Sequence, residues 1–206
     1  SVASLALAWI LAGRLVAGFG PIATFEALVA EWFLAERAPR FDGWAETASS
    51  VSRPGAVVLV AVCLALVSYA STRRRDDVLT ILLPLPIGAV VFLATANMIE
   101  RPRPSVPSLE EAVMVTSFPS GHVAAVTLLA GIVVVAHRRI RYPVVAGLLV
   151  LLLGAGAIAV AVSRLYLGMH HLTDVIAGGL LGLTCVGVST WLVDRMHRRV
   201  PETRPV

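Results

Sequence analysis

The chain has 206 residues, of which 57% are hydrophobic and 15% charged, with a mean hydropathy of +0.83. Average soluble domains are roughly 45–50% apolar and about 25% charged, so a soluble globular protein is excluded, and so is a disordered chain. All 17 cationic side chains are arginine and the formal net charge is +4. They cluster between apolar runs, as topology signals do, and not in the manner of a nucleic-acid-binding surface.

At about 20 residues per membrane-crossing helix, six helices consume roughly 120 residues and leave short connections. The expected architecture is therefore all-α: a polytopic membrane bundle of six transmembrane helices forming a single domain over 1–206. The first run, Val2–Phe19, is interrupted by Arg14, which is costly at mid-bilayer unless it faces the bundle or snorkels. It is counted as a span, and without a small-residue cleavage pattern it is not read as a signal peptide. In Pro21–Arg53, Phe25, Leu28, Val29, Trp32 and Phe33 recur at helical spacing with Glu26, Glu31 and Glu36 interleaved. This predicts one or two amphipathic helices at the interface.

Five further spans follow at about Pro54–Ala70, Val78–Met98, His122–Ala136, Pro143–Val162 and Val175–Val193. With six spans, Arg73–Arg75, the cluster Arg138, Arg139 and Arg141, and the cluster Arg195, Arg198 and Arg199 share one side. The positive-inside rule makes that side cytoplasmic. The connections Pro21–Arg53, Ile99–Gly121 and Arg164–Thr173 then face outward. Gly178 and Gly182, and Gly154 and Gly156, are expected helix contacts. Cys63 and Cys185 lie in apolar stretches and read as packing residues.

The outward connections carry the chemistry. Ser120, Gly121 and His122 stand after Pro119 at the mouth of a helix, where Ser is a good N-cap and unpaired N–H groups make an anion site. The same string is also ordinary helix-start chemistry, but His122 would point at whatever the terminus binds. His170 and Asp174 are four apart. Either the carboxylate orients the imidazole as a nucleophile or base, or Asp174 caps a helix beside an interfacial His. His171 is expected to point away from Asp174. Arg103 and Arg164 offer bidentate donors for phosphate oxygens, or snorkel at the interface. Glu110 and Glu111 are read as solvated. Together two guanidiniums, a helix terminus and two imidazoles fit phosphoryl transfer through a phosphohistidine. No carboxylate cluster calls for a divalent metal.

The motifs Pro119-Ser120-Gly121-His122 and Ser163-Arg164, five residues, His170, three residues, Asp174 resemble the type-2 phosphatidic acid phosphatase family, membrane relatives of vanadium haloperoxidases. The resemblance covers roughly 54–193. The family's first motif, Lys, six residues, Arg-Pro, is incomplete: with Arg103-Pro104 the Lys position is Ala96, and with Arg101-Pro102 it is Ala94. The resemblance implies that His170 is the nucleophile oriented by Asp174 and that His122 is the proton donor and later base. It further implies that Arg103, Ser120, Gly121 and Arg164 hold the phosphate, with Arg101 a neighbour able to compensate for the missing Lys. No metal or other cofactor is implied. The expected activity is hydrolysis of a lipid phosphomonoester or diphosphate, a polyprenyl carrier first and a glycerolipid phosphate second. Its expected setting is a bacterial plasma membrane, with the site on the extracytoplasmic side and no nucleic-acid partner. A non-hydrolytic lipid-phosphate binder or transporter, or a lipid phosphotransferase, on the same bundle is the alternative.

Overall fold

Proline opens much of this fold. Its missing N–H and fixed φ suit the first helical turn, and α2 (Gly20–Ala35), α3 (Pro39–Val51), α4 (Pro54–Thr72) and α6 (Pro84–Met98) each carry one there. The computed structural model describes residues 1–136 and 143–199. Besides those four it contains α1 (Val2–Gly18), α5 (Arg75–Leu82), α7 (Gly121–Ala136), α8 (Pro143–Tyr166) and α9 (Leu172–Arg199), with no strand among the described residues. The basic cluster Arg138, Arg139 and Arg141 lies outside them.

Among the described residues, four segments are long and apolar enough to cross a membrane: Pro54–Thr72, Arg75–Met98, Pro143–Tyr166 and Leu172–Met196. The second is α5 and α6 run together through Leu83, which keeps helical dihedrals at the Pro84 junction. Among the described residues, the other two expected spans do not reach that length by themselves. Helix α1 ends at Gly18 and the chain turns by 76° into α2, and the apolar part of α7 is Gly121–Val135. Arg14 is exposed and does not face the bundle. The expected interfacial segment resolves into two helices, α2 and α3.

Helix α7 sits at the centre, packed most extensively on α9. A Cβ at Gly178 would lie 2.5 Å from the Ser120 carbonyl oxygen, and one at Gly182 would lie 2.6 Å from that of Ala124. Only glycine lets the two backbones meet so closely. Around this contact Ala61, Ala65, Ile87, Val91, Leu128, Ile132, Leu181 and Cys185 form the core, so Cys185 is a packing residue, whereas Cys63 is exposed. Among the described residues, nothing lies within 4 Å of where a Cβ would stand on Gly154 or Gly156, so neither makes the expected close helix contact there. Helix α8 is mostly exposed along its length and becomes buried only from Val160 to Tyr166.

This arrangement fixes where polar residues gather. The N-terminal ends of α4 and α7, the C-terminal ends of α6 and α8, and the segment entering α9 meet at one end of the bundle. The arginines after α4 and along the last turns of α9 stand at the far ends of those helices.

Candidate active site

A cavity of about 560 Å³ opens at that end, lined by Arg53, Phe92, Arg103, Glu110, His122, Arg164 and His170 among others. The two helix mouths singled out in the sequence therefore belong to one site. They are joined directly: the Ser120 N–H donates to the Asp174 carbonyl at 3.0 Å. Positive helix ends favour an anion here.

His170 is buried, and Leu172 begins the helix after it. Its Nδ1 lies 2.7 Å from the Ser117 carbonyl oxygen. A carbonyl only accepts, so Nδ1 carries the proton and Nε2 keeps its lone pair. Asp174 Oδ2 is 3.9 Å from the same nitrogen, beyond hydrogen-bond range. The orienting partner is thus a backbone carbonyl. Asp174 instead accepts from the His171 N–H at 2.7 Å and from His171 Nδ1 at 3.1 Å. That is the reach-back of a residue in the first turn to the backbone at the helix entrance. His171, expected to point away, is the imidazole that touches this carboxylate. Burial, then the charges of Arg164 and Arg103, push the His170 pKa well below 6.5, and its bond to Ser117 opposes them only in part. The imidazole is neutral at pH 7.

Arg103 donates from Nη1 to the Met169 carbonyl at 2.5 Å and from Nη2 to that of Met114 at 2.9 Å. It ties the loop after α6 to the segment carrying His170 while its charge stays unneutralised. Arg164 pairs with Glu110 and donates to Ser49 Oγ at 2.6 Å. Glu110 is therefore not solvated. Burial would raise its pKa, but the Arg164 charge and the hydrogen bonds from Arg164 and Ser49 hold it below the usual carboxylate range. Ser163, also in the motif, donates to the Ala45 carbonyl at 2.7 Å and fastens α8 to α3.

Among the described residues, the buried side-chain polar atoms without a hydrogen-bond partner are Arg103 Nε, Ser120 Oγ, His122 Nε2 and Arg164 Nε. Leaving such groups unpaired is costly, and all four belong to residues predicted to handle phosphate. Ser120 sits at the entrance of α7, its carbonyl accepting from the Ala124 N–H at 3.0 Å, yet its hydroxyl does not cap the helix. At Gly121 a Cβ would come within 3.1 Å of the Phe92 ring. Among the described residues no three His, Cys, Asp or Glu side chains converge as a metal site requires, so the cations at hand are guanidiniums.

Sequence reasoning missed three participants and, besides His171 and Glu110, misplaced Arg101. Arg53 lines the cavity and Ser49 bridges Arg164 to Glu110. Glu26, 1% exposed, accepts from the Thr173 N–H at 2.8 Å and pairs with Arg101. Arg101 itself is buried between Glu26 and Asp174 and does not line the cavity, so it does not stand in for the absent Lys. Only Glu26 left a sequence trace, as one of the carboxylates interleaved among the apolar residues of α2.

A membrane bundle with an arginine- and histidine-lined cavity of about 560 Å³ at its helix mouths is what fold and site define together. The chain belongs to the PAP2 superfamily, whose family model matches residues 78–198. It is similar to sphingosine-1-phosphate phosphatase 1 of Rattus norvegicus, 31% identical over 105 residues, which are 48% of this chain and 24% of that protein. The chain therefore matches about a quarter of that relative's length. Among solved structures, it resembles the transmembrane PAP2-type phosphatidylglycerolphosphate phosphatase of Bacillus subtilis with a TM-score of 0.78. That match is at 20% identity and covers 97% of this chain and 98% of the other. Aquifex aeolicus LpxE matches with a TM-score of 0.64 at 19% identity over 84% and 97% of the two chains.

Proposed function

We propose that this protein is a membrane lipid phosphatase that removes phosphate from a lipid phosphomonoester or diphosphate through a phosphohistidine. The observation that carries this reading is the set of four unpartnered buried atoms on Arg103, Ser120, His122 and Arg164: Arg103, His122 and Arg164 line the cavity beside a neutral, buried His170, and Ser120 lies between the lining residues Pro119 and Gly121.

The chemistry follows from the donors. Arg103 Nε, Arg164 Nε, Ser120 Oγ and the Gly121 N–H receive the non-bridging oxygens. The lone pair of His170 Nε2 attacks phosphorus and the bond to the leaving oxygen breaks. His122 gives its proton to that oxygen, an anionic substrate favouring the imidazolium it needs beforehand. A water then attacks the phosphohistidine, surrenders its proton to His122, and inorganic phosphate departs as His170 is restored. Asp174 acts by position, fixing His171 and the start of α9, and no step is assigned to a metal.

The lipid's chain has a place to lie. An apolar groove of about 290 Å³ between α4, α6, α7 and α9 shares Pro54, Phe92 and Gly121 with the polar cavity. In this reading α1 and the short central α7 also cross the bilayer, giving six spans. The cavity then faces away from the arginine-rich, cytoplasmic side.

Purified protein in detergent should release phosphate from polyprenyl and glycerolipid phosphates without added metal, and His170→Ala should abolish that release. Full turnover by His170→Ala would remove the nucleophile assignment. Binding of lipid phosphate without turnover by the unsubstituted protein would indicate a carrier instead.

A further inference from the structure

We infer that Arg53 recognises the inner phosphate of a lipid diphosphate, the one esterified to the chain, and so directs this site toward diphosphates over monophosphates. The inference rests on the phosphatase reading above and names its substrate class.

Three guanidiniums line the cavity, and they are not alike. Arg103 is held by backbone carbonyls and Arg164 by Glu110 and Ser49, each with a buried Nε that has no hydrogen-bond partner among the described residues. Arg53 is exposed, and its head group makes no hydrogen bond or ion pair among the described residues. Neither Glu110, committed to Arg164, nor Glu111 pairs with it. Its charge nevertheless reaches His122, the proposed donor to the leaving oxygen.

Position decides what Arg53 meets. It is the residue before Pro54 at the mouth of α4, and Pro54 lines both the polar cavity and the apolar groove. The backbone there is anchored: Ser52 is buried and donates to the Ala48 carbonyl at 2.8 Å. Arg53 thus stands on the border between the phosphate being removed and the tail. In a lipid monophosphate the carbon chain begins at that border and gives a guanidinium nothing to bind. In a lipid diphosphate, the inner phosphate falls there, and it is also the leaving group that His122 protonates. A guanidinium matches its paired oxygens and stabilises the charge that develops on it as the bond breaks.

The test compares kcat/KM for phosphate release from a polyprenyl diphosphate and the polyprenyl monophosphate of equal chain length, using unsubstituted protein, Arg53→Ala and Arg53→Lys. Arg53→Ala should lose about tenfold or more on the diphosphate and stay within about threefold on the monophosphate, and Arg53→Lys should recover part of the loss. Equal losses on both substrates, or no loss on the diphosphate, would overturn the assignment. Binding of the methylene-diphosphonate and monophosphonate lipids is measured alongside. Should the unsubstituted protein release no phosphate at all, the phosphatase reading fails, and selective loss of diphosphonate affinity in Arg53→Ala still decides the role of Arg53.

Discussion

Arg101 and Arg103 are two residues apart in one loop, yet they end in opposite electrostatic settings. Arg101 is 7% exposed and divides its guanidinium between Glu26 and Asp174, with Thr173 Oγ1 accepting from Nη1 at 2.8 Å. Arg103 meets only neutral carbonyls and retains a free Nε. A guanidinium neutralised by two carboxylates has no outstanding charge to offer a phosphate. One held by carbonyls is fixed in place with its full charge outstanding. The difference separates a residue that holds the fold together from one able to bind an anion, although both are arginines followed by proline.

The largest expected effect breaks the first of the two. Arg101→Met strands the buried carboxylates of Glu26 and Asp174, and removing one partner of a buried ion network costs about 3–5 kcal/mol. Thermal unfolding in detergent should show a steep drop, with activity lost because the protein unfolds. Arg103→Met should do the reverse. Loss of one preorganised donor to the transition-state oxyanion lowers kcat by roughly 10²–10³, while the melting temperature falls less than in Arg101→Met. If the two variants lose stability and turnover in the same proportions, the division drawn from their partners is wrong.

How much of this was legible beforehand depends on the reach of each contact. Pro119–His122 and Ser163–Asp174 could be read because local strings set the chemistry at a helix mouth, and hydropathy placed both mouths on one side. The fate of Arg101 could not be read, since its partner Glu26 is 75 residues away and nothing local tells Arg101 from Arg103. Glu110 looked solvated because Arg164, 54 residues on, and Ser49 are brought to it only by packing. Asp174 was the natural partner for His170, but the actual acceptor is the carbonyl of Ser117, and a backbone acceptor leaves no mark in a sequence. Glycines showed the same limit: Gly178 and Gly182 press on α7, whereas the similar pair on α8 makes no such close contact among the described residues. Hydropathy could not show the 76° bend between α1 and α2, because it counts apolar residues without seeing where the chain turns.

The smallest expected effect sharpens the comparison through pH. His170 must be neutral to attack, and in the fold burial, then the charges of Arg164 and Arg103, hold its pKa well below 6.5. The unprotonated form therefore persists as pH falls through 6.5, and the acid limb of kcat/KM, which reports the free enzyme, lies below that value. Arg103→Met removes one repelling charge, so His170 binds its proton more readily and the limb moves to higher pH. Arg101 is neutralised by Glu26 and Asp174, and Arg101→Met uncovers the Asp174 carboxylate 3.9 Å from His170 Nδ1, so in its folded fraction the limb should also move to higher pH, through a gained attraction and not a lost repulsion. Substrate ionisation is common to all three proteins, so the displacement between their profiles isolates the imidazole. An unmoved limb in Arg103→Met would mean that the Arg103 charge does not hold down the His170 pKa, contrary to its position at the site.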